Sequence, residues 1–93
     1  MAIFTNVTVS NDTWYDINTL SGAAVGTGLT LQNISSGNVL LKESTSLPLD
    51  DNAPVLFNPS YGELSKASVD AGSLKMWAKV IGSPSKAIIA VYN

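Results

Sequence analysis

The sequence contains no histidine, no cysteine and no arginine, and each absence weighs against a class of function. Without cysteine there is no disulfide framework and no thiolate metal site, so packing alone must stabilise the fold. Without histidine the many serines lack the usual general base of a nucleophilic triad. Five dispersed lysines and a net charge of −2 leave no basic patch to neutralise nucleic-acid phosphates. We therefore expect neither an enzyme nor a nucleic-acid-binding protein.

Charge of either sign is also scarce. Charged residues make up 13% of the 93 residues and apolar residues 45%, whereas an ordinary soluble domain is about 25% charged. The surface must consist largely of Ser, Thr, Asn, Gly and exposed apolar atoms, which suits contact with other proteins. No apolar run approaches the roughly 18 to 20 residues of a membrane span, and the N-terminus lacks the pattern of a secretory signal. We expect a protein made in a cytoplasm, with no membrane partner.

Clusters of turn-forming residues interrupt the chain every 8 to 12 residues or so, and the runs between them are rich in β-branched and aromatic residues. This spacing predicts one all-β domain over residues 1–93, a small β-sandwich of jelly-roll-like form with about eight short antiparallel strands. The predicted strands are residues 3–9, 13–17, 29–33, 39–43, 55–57, 65–69, 74–80 and 87–92.

Alternation within these runs indicates which faces are buried. Leu74, Met76, Ala78 and Val80 share one face of their run, and Trp77 lies between two lysines on the other. Residues 87–92 are apolar on both faces, which is typical of a central or covered strand. Residues 35–38 are predicted to form the tip of a hairpin, with Gly37 adopting a positive φ. Residues 61–72 favour a turn followed by a strand over a helix.

Two further segments invite a ligand interpretation. Gly22, Gly26 and Gly28 resemble a phosphate loop, but a strand pattern follows them and no lysine occurs before Lys42, so a bend between strands is favoured. Residues 50–52 (Asp-Asp-Asn) could offer oxygen ligands to calcium, but they lack EF-hand spacing and fit a solvated turn. We expect no cofactor and no metal.

The aromatic residues are the remaining candidates for a functional surface. Exposed Trp and Tyr can anchor protein interfaces or stack on sugars. Trp77, out of phase with the apolar face of its strand, is either covered core or a contact surface. The candidate interface residues are Trp77, Phe4, Trp14 and Tyr61.

The order of features along the chain carries a resemblance. A first strand leads to "WYDI", a small-residue loop ends in "VGTGLTLQN", "GNVLLKES" precedes a proline-containing loop, and "DAGSLKMWAKV" is followed by a final apolar strand. This order resembles small all-β accessory virion proteins of tailed bacteriophages, which attach to the head or the tail. The resemblance covers most of the chain and consists of pattern and composition.

The resemblance implies a non-enzymatic structural protein of the virion, synthesised in the host cytoplasm. Such a protein would be a capsid decoration subunit or a tail component, assembled as a homo-oligomer on other virion proteins. An alternative from another class is a carbohydrate-binding or receptor-binding β-sandwich module that uses Trp77, Tyr61 or Trp14 as a stacking platform.

Overall fold

Eight strands follow the turn clusters of the sequence in the computed structural model, which describes residues 3–82 and 84–93. The strands are β1 (Val7–Ser10), β2 (Tyr15–Asp16), β3 (Leu29–Asn33), β4 (Asn38–Glu43), β5 (Val55–Leu56), β6 (Lys66–Val69), β7 (Met76–Ile81) and β8 (Lys86–Tyr92). A short helix, α1 (Ile17–Ser21), separates β2 from β3, and a 3-10 segment (Pro59–Ser65), kinked at Gly62, precedes β6. Each predicted strand has a counterpart, and only the boundaries differ.

The strands pair from the outside of the chain inward. β1 pairs with β8, β2 with β7, β3 with β6 and β4 with β5, all antiparallel. The chain is thus one long antiparallel ribbon doubled back between β4 and β5. Further pairing of β3 with β8 and of β4 with β7 wraps this ribbon into two sheets. The first sheet has the order β1-β8-β3-β6 and the second β2-β7-β4-β5. This is the strand order of a jelly roll, so the predicted fold class is confirmed.

The main core lies between the two sheets and follows the predicted alternation. Val7 and Val9 of β1 are buried while Thr8 is exposed, and Met76, Ala78 and Val80 of β7 point inward. Leu74, predicted on the same face, precedes β7 and is 46% exposed, so the alternation holds only within the strand. β8 is a central strand of the first sheet, as its apolar pattern predicts. The inward side chains of both sheets form one cluster with Ile17 of α1.

The predicted hairpin at residues 35–38 is wrong. β3 and β4 belong to different sheets, so residues 34–37 carry the chain across the sandwich instead of joining paired strands. Gly37 does not have a positive φ. Gly37 instead packs closely on the β7–β8 side, because a Cβ there would lie 3.4 Å from the carbonyl oxygen of Lys86.

Two further boundaries have local causes. The predicted strand 13–17 stops at Asp16, whose side chain caps α1 by accepting a hydrogen bond from the Thr19 N–H at 3.0 Å. Gly22 then ends α1 with φ 85°, and its N–H donates to the Asn18 carbonyl at 3.0 Å. At the N-terminus β1 begins at Val7, and Ile3 forms only an isolated bridge with Tyr92.

Antiparallel pairing sends the connections to two opposite ends. The four-loop end carries residues 11–14, 34–37 and 57–65 and the β7–β8 connection. The three-loop end carries residues 17–28, 44–54 and 70–75, where the Gly72 N–H donates to the Gly26 carbonyl at 2.8 Å. In the part of the chain that the structure describes, neither helix has the length or apolar character needed to cross a membrane.

Candidate interaction surfaces

The outer face of the second sheet carries a small apolar cluster of its own. Because side chains alternate along a strand, Trp77 lies on the other face of β7 from its neighbour Ala78, outside the main core. There it packs with Trp14 and Leu40. All three residues are buried, with exposed fractions of 9% for Trp77, 6% for Trp14 and 5% for Leu40. Ala53, Val55 and Ile81 pack against their edges. We call Trp14, Leu40 and Trp77 the tryptophan cluster.

A loop of residues 44–54, here called the strap, folds back toward this cluster from the three-loop end. The indole Nε1 of Trp77 donates to the Ser44 carbonyl at 2.9 Å, and the Leu41 N–H donates to the Pro54 carbonyl at 3.0 Å. Two salt bridges fasten the strap to β4 and β7: Lys42–Asp50 at 2.8 Å and Lys79–Asp51 at 3.0 Å. Long loops commonly cover satellite clusters in this way.

The carboxylates near this face engage local partners. Hydrogen bonding and charge from Lys42 hold the pKa of Asp50 below its ordinary value. For Asp16, partial burial would raise the pKa, but hydrogen bonds from Thr19 and Lys75 outweigh it and the pKa lies below the ordinary value. The Lys75 ammonium lies 3.1 Å from Asp16 and 5.6 Å from the Trp77 ring centroid, within reach of a cation–π contact.

The ligand interpretations of the sequence can now be placed in the structure. The two aspartates of residues 50–52 face lysines, and residues 3–82 and 84–93 hold no group of three His, Cys, Asp or Glu side chains that could surround a metal ion. The glycine-rich segment is a bent loop between α1 and β3, closely packed at Gly28, where a Cβ would lie 3.5 Å from the Ala71 nitrogen.

The four candidate interface residues do not share one surface. Trp77 and Trp14 lie together in the tryptophan cluster. Phe4 is half-buried and packs against the main core. Tyr61 alone is well exposed, at 54%, on the four-loop end. Trp77 is therefore covered within this chain, and the interface role of the four residues stays a prediction.

Asparagines at strand ends brace the loops of the four-loop end. Asn33, fully buried, donates through Nδ2 to the carbonyls of Gly37 at 2.6 Å and Leu56 at 3.3 Å. Its Oδ1 accepts from the N–H and hydroxyl of Ser35 at 3.0 and 2.7 Å. On the next strand, Asn38 Oδ1 accepts from both nitrogens of Asn58, at 3.0 and 3.2 Å.

These braced loops border an open groove of about 370 Å³. Its lining carries no charged side chain and consists of Ile34, Ser35, Ser36, Asn58, Pro59 and Ser60. Tyr61 follows the lining directly, and its ring contacts that of Phe57 with centroids 4.9 Å apart and planes tilted by 44°.

Large apolar side chains are exposed at both ends of the sandwich: Ile34, Tyr61 and Leu64 at the four-loop end, and five others on the loops of the three-loop end. Leu49 is 97% exposed at the outside of the strap, and Leu47, Leu20, Val25 and Leu74 are each about half exposed on the same three loops. A second groove of about 300 Å³ runs beside α1, lined by Asn18, Thr19, Gly22, Ala23, Ala24 and Val25.

The sequence interpretation did not single out the bracing asparagines. A signal was present for Asn33, because the alternation of "LTLQN" places it on the same buried face as Leu29 and Leu31. A polar residue at such a position must find partners. The strap had no comparable signal, since its anchors are long-range contacts.

Comparison of the chain with protein-family models, with curated proteins and with solved structures finds no match in any of the three.

Proposed function

We propose that this chain is a non-enzymatic structural subunit of a tailed-bacteriophage virion, attached to the head or tail through protein–protein contacts. The observation that carries the proposal is the set of apolar side chains exposed at the three-loop end. The jelly-roll strand order is compatible with it, since viral capsid proteins are among the users of that architecture. Fold alone does not imply function, so the argument rests on the surface.

Leucines exposed to water do not stabilise the isolated chain, but they can stabilise a complex when a partner buries them. Burial of one Leu side chain stabilises a contact by roughly 1.5–3 kcal/mol, and Leu49 and Leu74 stand on loops whose backbones are held by neighbouring hydrogen bonds. The Leu74 N–H, for example, donates to the Glu43 carboxylate at 2.7 Å. A loop backbone that is already held loses little further conformational freedom when a partner covers it.

The size of the molecule fits such a contact. A standard interface buries about 800 Å² per partner, about a sixth of the 4899 Å² surface of this chain. The three-loop end, with its exposed apolar side chains, would face the particle or a neighbouring subunit.

Strand addition offers a second mode of contact, with one restriction. β8 lies inside the first sheet, so the terminal strand is not open for pairing with a neighbour. β2 and β5 are edges of two residues each, too short to template a strand. In the described residues, β1 and β6 are the edges long enough for β-augmentation.

The decisive experiment measures whether the chain co-purifies with phage particles. Particles are purified on a density gradient from cells that produce the chain, and mass spectrometry measures the chain in particle and particle-free fractions. We expect stoichiometric recovery with particles. Recovery only in the particle-free fraction would overturn the proposal.

Paired variants identify the contact surface. The double variant Leu49→Ser/Leu74→Ser should be depleted from particles, because it removes two apolar anchors of the three-loop end. Ile88→Ser is the control, since Ile88 is 40% exposed on the outer face of the first sheet. Light scattering on the purified chain, across a dilution series, then shows whether it assembles by itself into multiples of 9.7 kDa.

A further inference from the structure

We propose that the groove at the four-loop end binds a neutral carbohydrate, with Tyr61 as the stacking platform and the hydroxyls of Ser36 and Ser60 as hydrogen-bonding partners. This inference concerns a different end of the molecule from the proposed attachment surface. It does not depend on the chain being part of a virion.

The lining of the groove selects the chemistry of the ligand. Ile34 and Pro59 offer exposed apolar surface, and the remaining lining side chains offer hydroxyl and amide groups. A sugar presents the matching combination of apolar C–H faces and hydroxyl edges. No lysine lines the groove, so it offers no charged partner to a phosphate or carboxylate ligand.

Hydrogen bonds inside the protein decide which lining groups remain for a ligand. The Ser35 hydroxyl is engaged by Asn33, and the Asn58 amide is engaged by Asn38 and by the Ser60 N–H. Within residues 3–82 and 84–93, the side-chain hydroxyls of Ser36 and Ser60 form no hydrogen bond. Both residues are exposed, so their hydroxyls are open to a partner in the groove.

Tyr61 directly follows the lining residue Ser60 in the chain, and local contacts hold it. Its N–H donates to the Asn58 carbonyl at 3.1 Å, and its ring leans on Phe57. More than half of the side chain remains exposed. A tyrosine ring held in this way offers a large contact area at a small entropy cost.

The groove is also braced before any ligand arrives. Asn33 ties residues 35 and 37 to β5, and Asn38 ties the start of the 3-10 segment to β4. The Phe57 N–H donates to the Leu64 carbonyl at 3.0 Å, which closes the loop that carries Tyr61. A braced site loses less conformational freedom on binding, which raises affinity.

The test is a titration of the ¹⁵N-labelled full chain followed by two-dimensional NMR. The probes are neutral oligosaccharides built from glucose, galactose, mannose and N-acetylglucosamine, with sialylated and sulfated oligosaccharides as acidic counterparts. We expect saturable shifts for at least one neutral probe, confined to the amides of residues 34–36 and 57–64. No saturable shift with any probe, shifts mapping elsewhere, or a preference for the acidic probes would each overturn the proposal.

Variants distinguish the stacking role of Tyr61 from the effect of removing any exposed apolar side chain. Tyr61→Ala should weaken binding on the order of tenfold, while Tyr61→Trp should retain it. Ser36→Ala/Ser60→Ala should weaken it several-fold. Leu49→Ala, which removes an exposed apolar side chain at the other end, should bind as the parent does. Unchanged binding by Tyr61→Ala would contradict the site.

The spectra themselves report whether each variant is folded, and Tyr61→Leu replaces Tyr61→Ala if the alanine variant loses dispersion. Failure of this test leaves the particle experiment untouched, because that experiment reads a different surface. Success of both would describe a subunit that attaches by one end and displays a sugar site at the other.

Discussion

Asn33 joins three segments of the four-loop end through one side chain. It is fully buried, and all of its hydrogen-bonding positions are used by backbone groups of residues 35, 37 and 56 and the Ser35 hydroxyl. The hydrogen bonds of a buried amide offset the cost of its desolvation, whereas its removal leaves buried partner groups with fewer hydrogen bonds. We therefore expect replacement of Asn33 to destabilise the four-loop end more than replacement of any other residue there.

Asn33→Ala should lower the free energy of unfolding by about 2–4 kcal/mol, because it removes the hydrogen bonds that a fully buried side chain makes to the carbonyls of Gly37 and Leu56 and to Ser35. Asn33→Asp should act in the same direction, since a carboxylate cannot donate to those carbonyls. Urea denaturation at neutral pH measures both. The exposed Asn11→Ala is the control and should stay within about 0.5 kcal/mol of the parent. A loss below about 1 kcal/mol for both Asn33 variants would contradict the bracing role.

Asp16 links the capping of α1 to pH. Its carboxylate accepts from the Thr19 N–H at 3.0 Å and hydroxyl at 2.7 Å and pairs with Lys75 at 3.1 Å, and its pKa lies below the ordinary value. The folded protein therefore binds this proton at lower pH than the unfolded chain does. The stabilisation is fully present above the unfolded pKa of about 3.9 and is lost as pH falls through the folded pKa.

Asp16→Asn should test that sign. Asparagine still caps a helix but does not titrate, so the variant should be less stable than the parent at neutral pH, and this difference should shrink as pH falls through the folded pKa of Asp16. Urea midpoints measured at several pH values show the convergence. Asp70→Asn, which removes an exposed carboxylate without a salt bridge in the described residues, should keep the slope of the parent. A constant gap between Asp16→Asn and the parent at all pH values would refute the linkage.

At the scale of elements, local patterns located the strands but not their partners. Alternation and turn residues identify all eight strands because those signals lie within a few residues of each other. The hairpin at residues 35–38 was wrong because a short turn between two strands looks alike whether the strands pair or cross between sheets. α1 was missed because five residues are too few for a helical period to show.

Trp77 illustrates the same limit within the candidate surface. Its phase correctly places it outside the main core, but whether that face is open depends on the strap, whose two salt bridges join residues 8 and 28 positions apart. Contacts of that range have no periodic trace in the sequence. Tyr61, in contrast, keeps the exposure that a contact residue needs.

Neutralising the strap anchors with Asp50→Asn/Asp51→Asn should loosen the strap. Trp14 and Trp77 are the only tryptophans and lie in the cluster beside it, so their emission should shift to the red and acrylamide should quench it more strongly. The circular dichroism of the sheets should not change. High salt should produce the same change in the parent by screening the exposed pairs. Asp70→Asn, which removes an exposed carboxylate far in sequence from both tryptophans' partners in the strap, is the control. If quenching of the Asp50→Asn/Asp51→Asn variant equals that of the parent, the strap does not need its salt bridges.

At the scale of the whole molecule, the jelly roll places the two ends of the chain side by side. β1 and β8 pair along their length, with Val7 opposite Ile89, and Ile3 bridges to Tyr92. The pairing that closes the first sheet is thus the most distant in sequence. Because such contacts become favourable only after a long loop has been closed, folding should be slow for a chain of this size.

A circular permutant tests this argument directly. A short Gly/Ser linker joins residue 93 to residue 1, and the chain is opened between Asn11 and Asp12, in an exposed turn of the four-loop end. β8 and β1 then become neighbours in sequence, which converts the most distant pairing into a local hairpin. We expect the permutant to keep the near-ultraviolet spectrum of the parent and to refold faster in stopped-flow experiments.

Linker length serves as the control. Two permutants with a shorter and a longer linker should refold at similar rates, because the entropy of loop closure grows slowly with length. Opening the chain instead within β8 should prevent folding, because that strand joins β1 to β3 in the centre of the first sheet. A permutant that folds to the native spectrum but no faster than the parent would show that pairing of β1 with β8 is not the slow step. The rate-limiting closure would then lie in the pairings between β3 and β8 or between β4 and β7, which the permutation leaves distant.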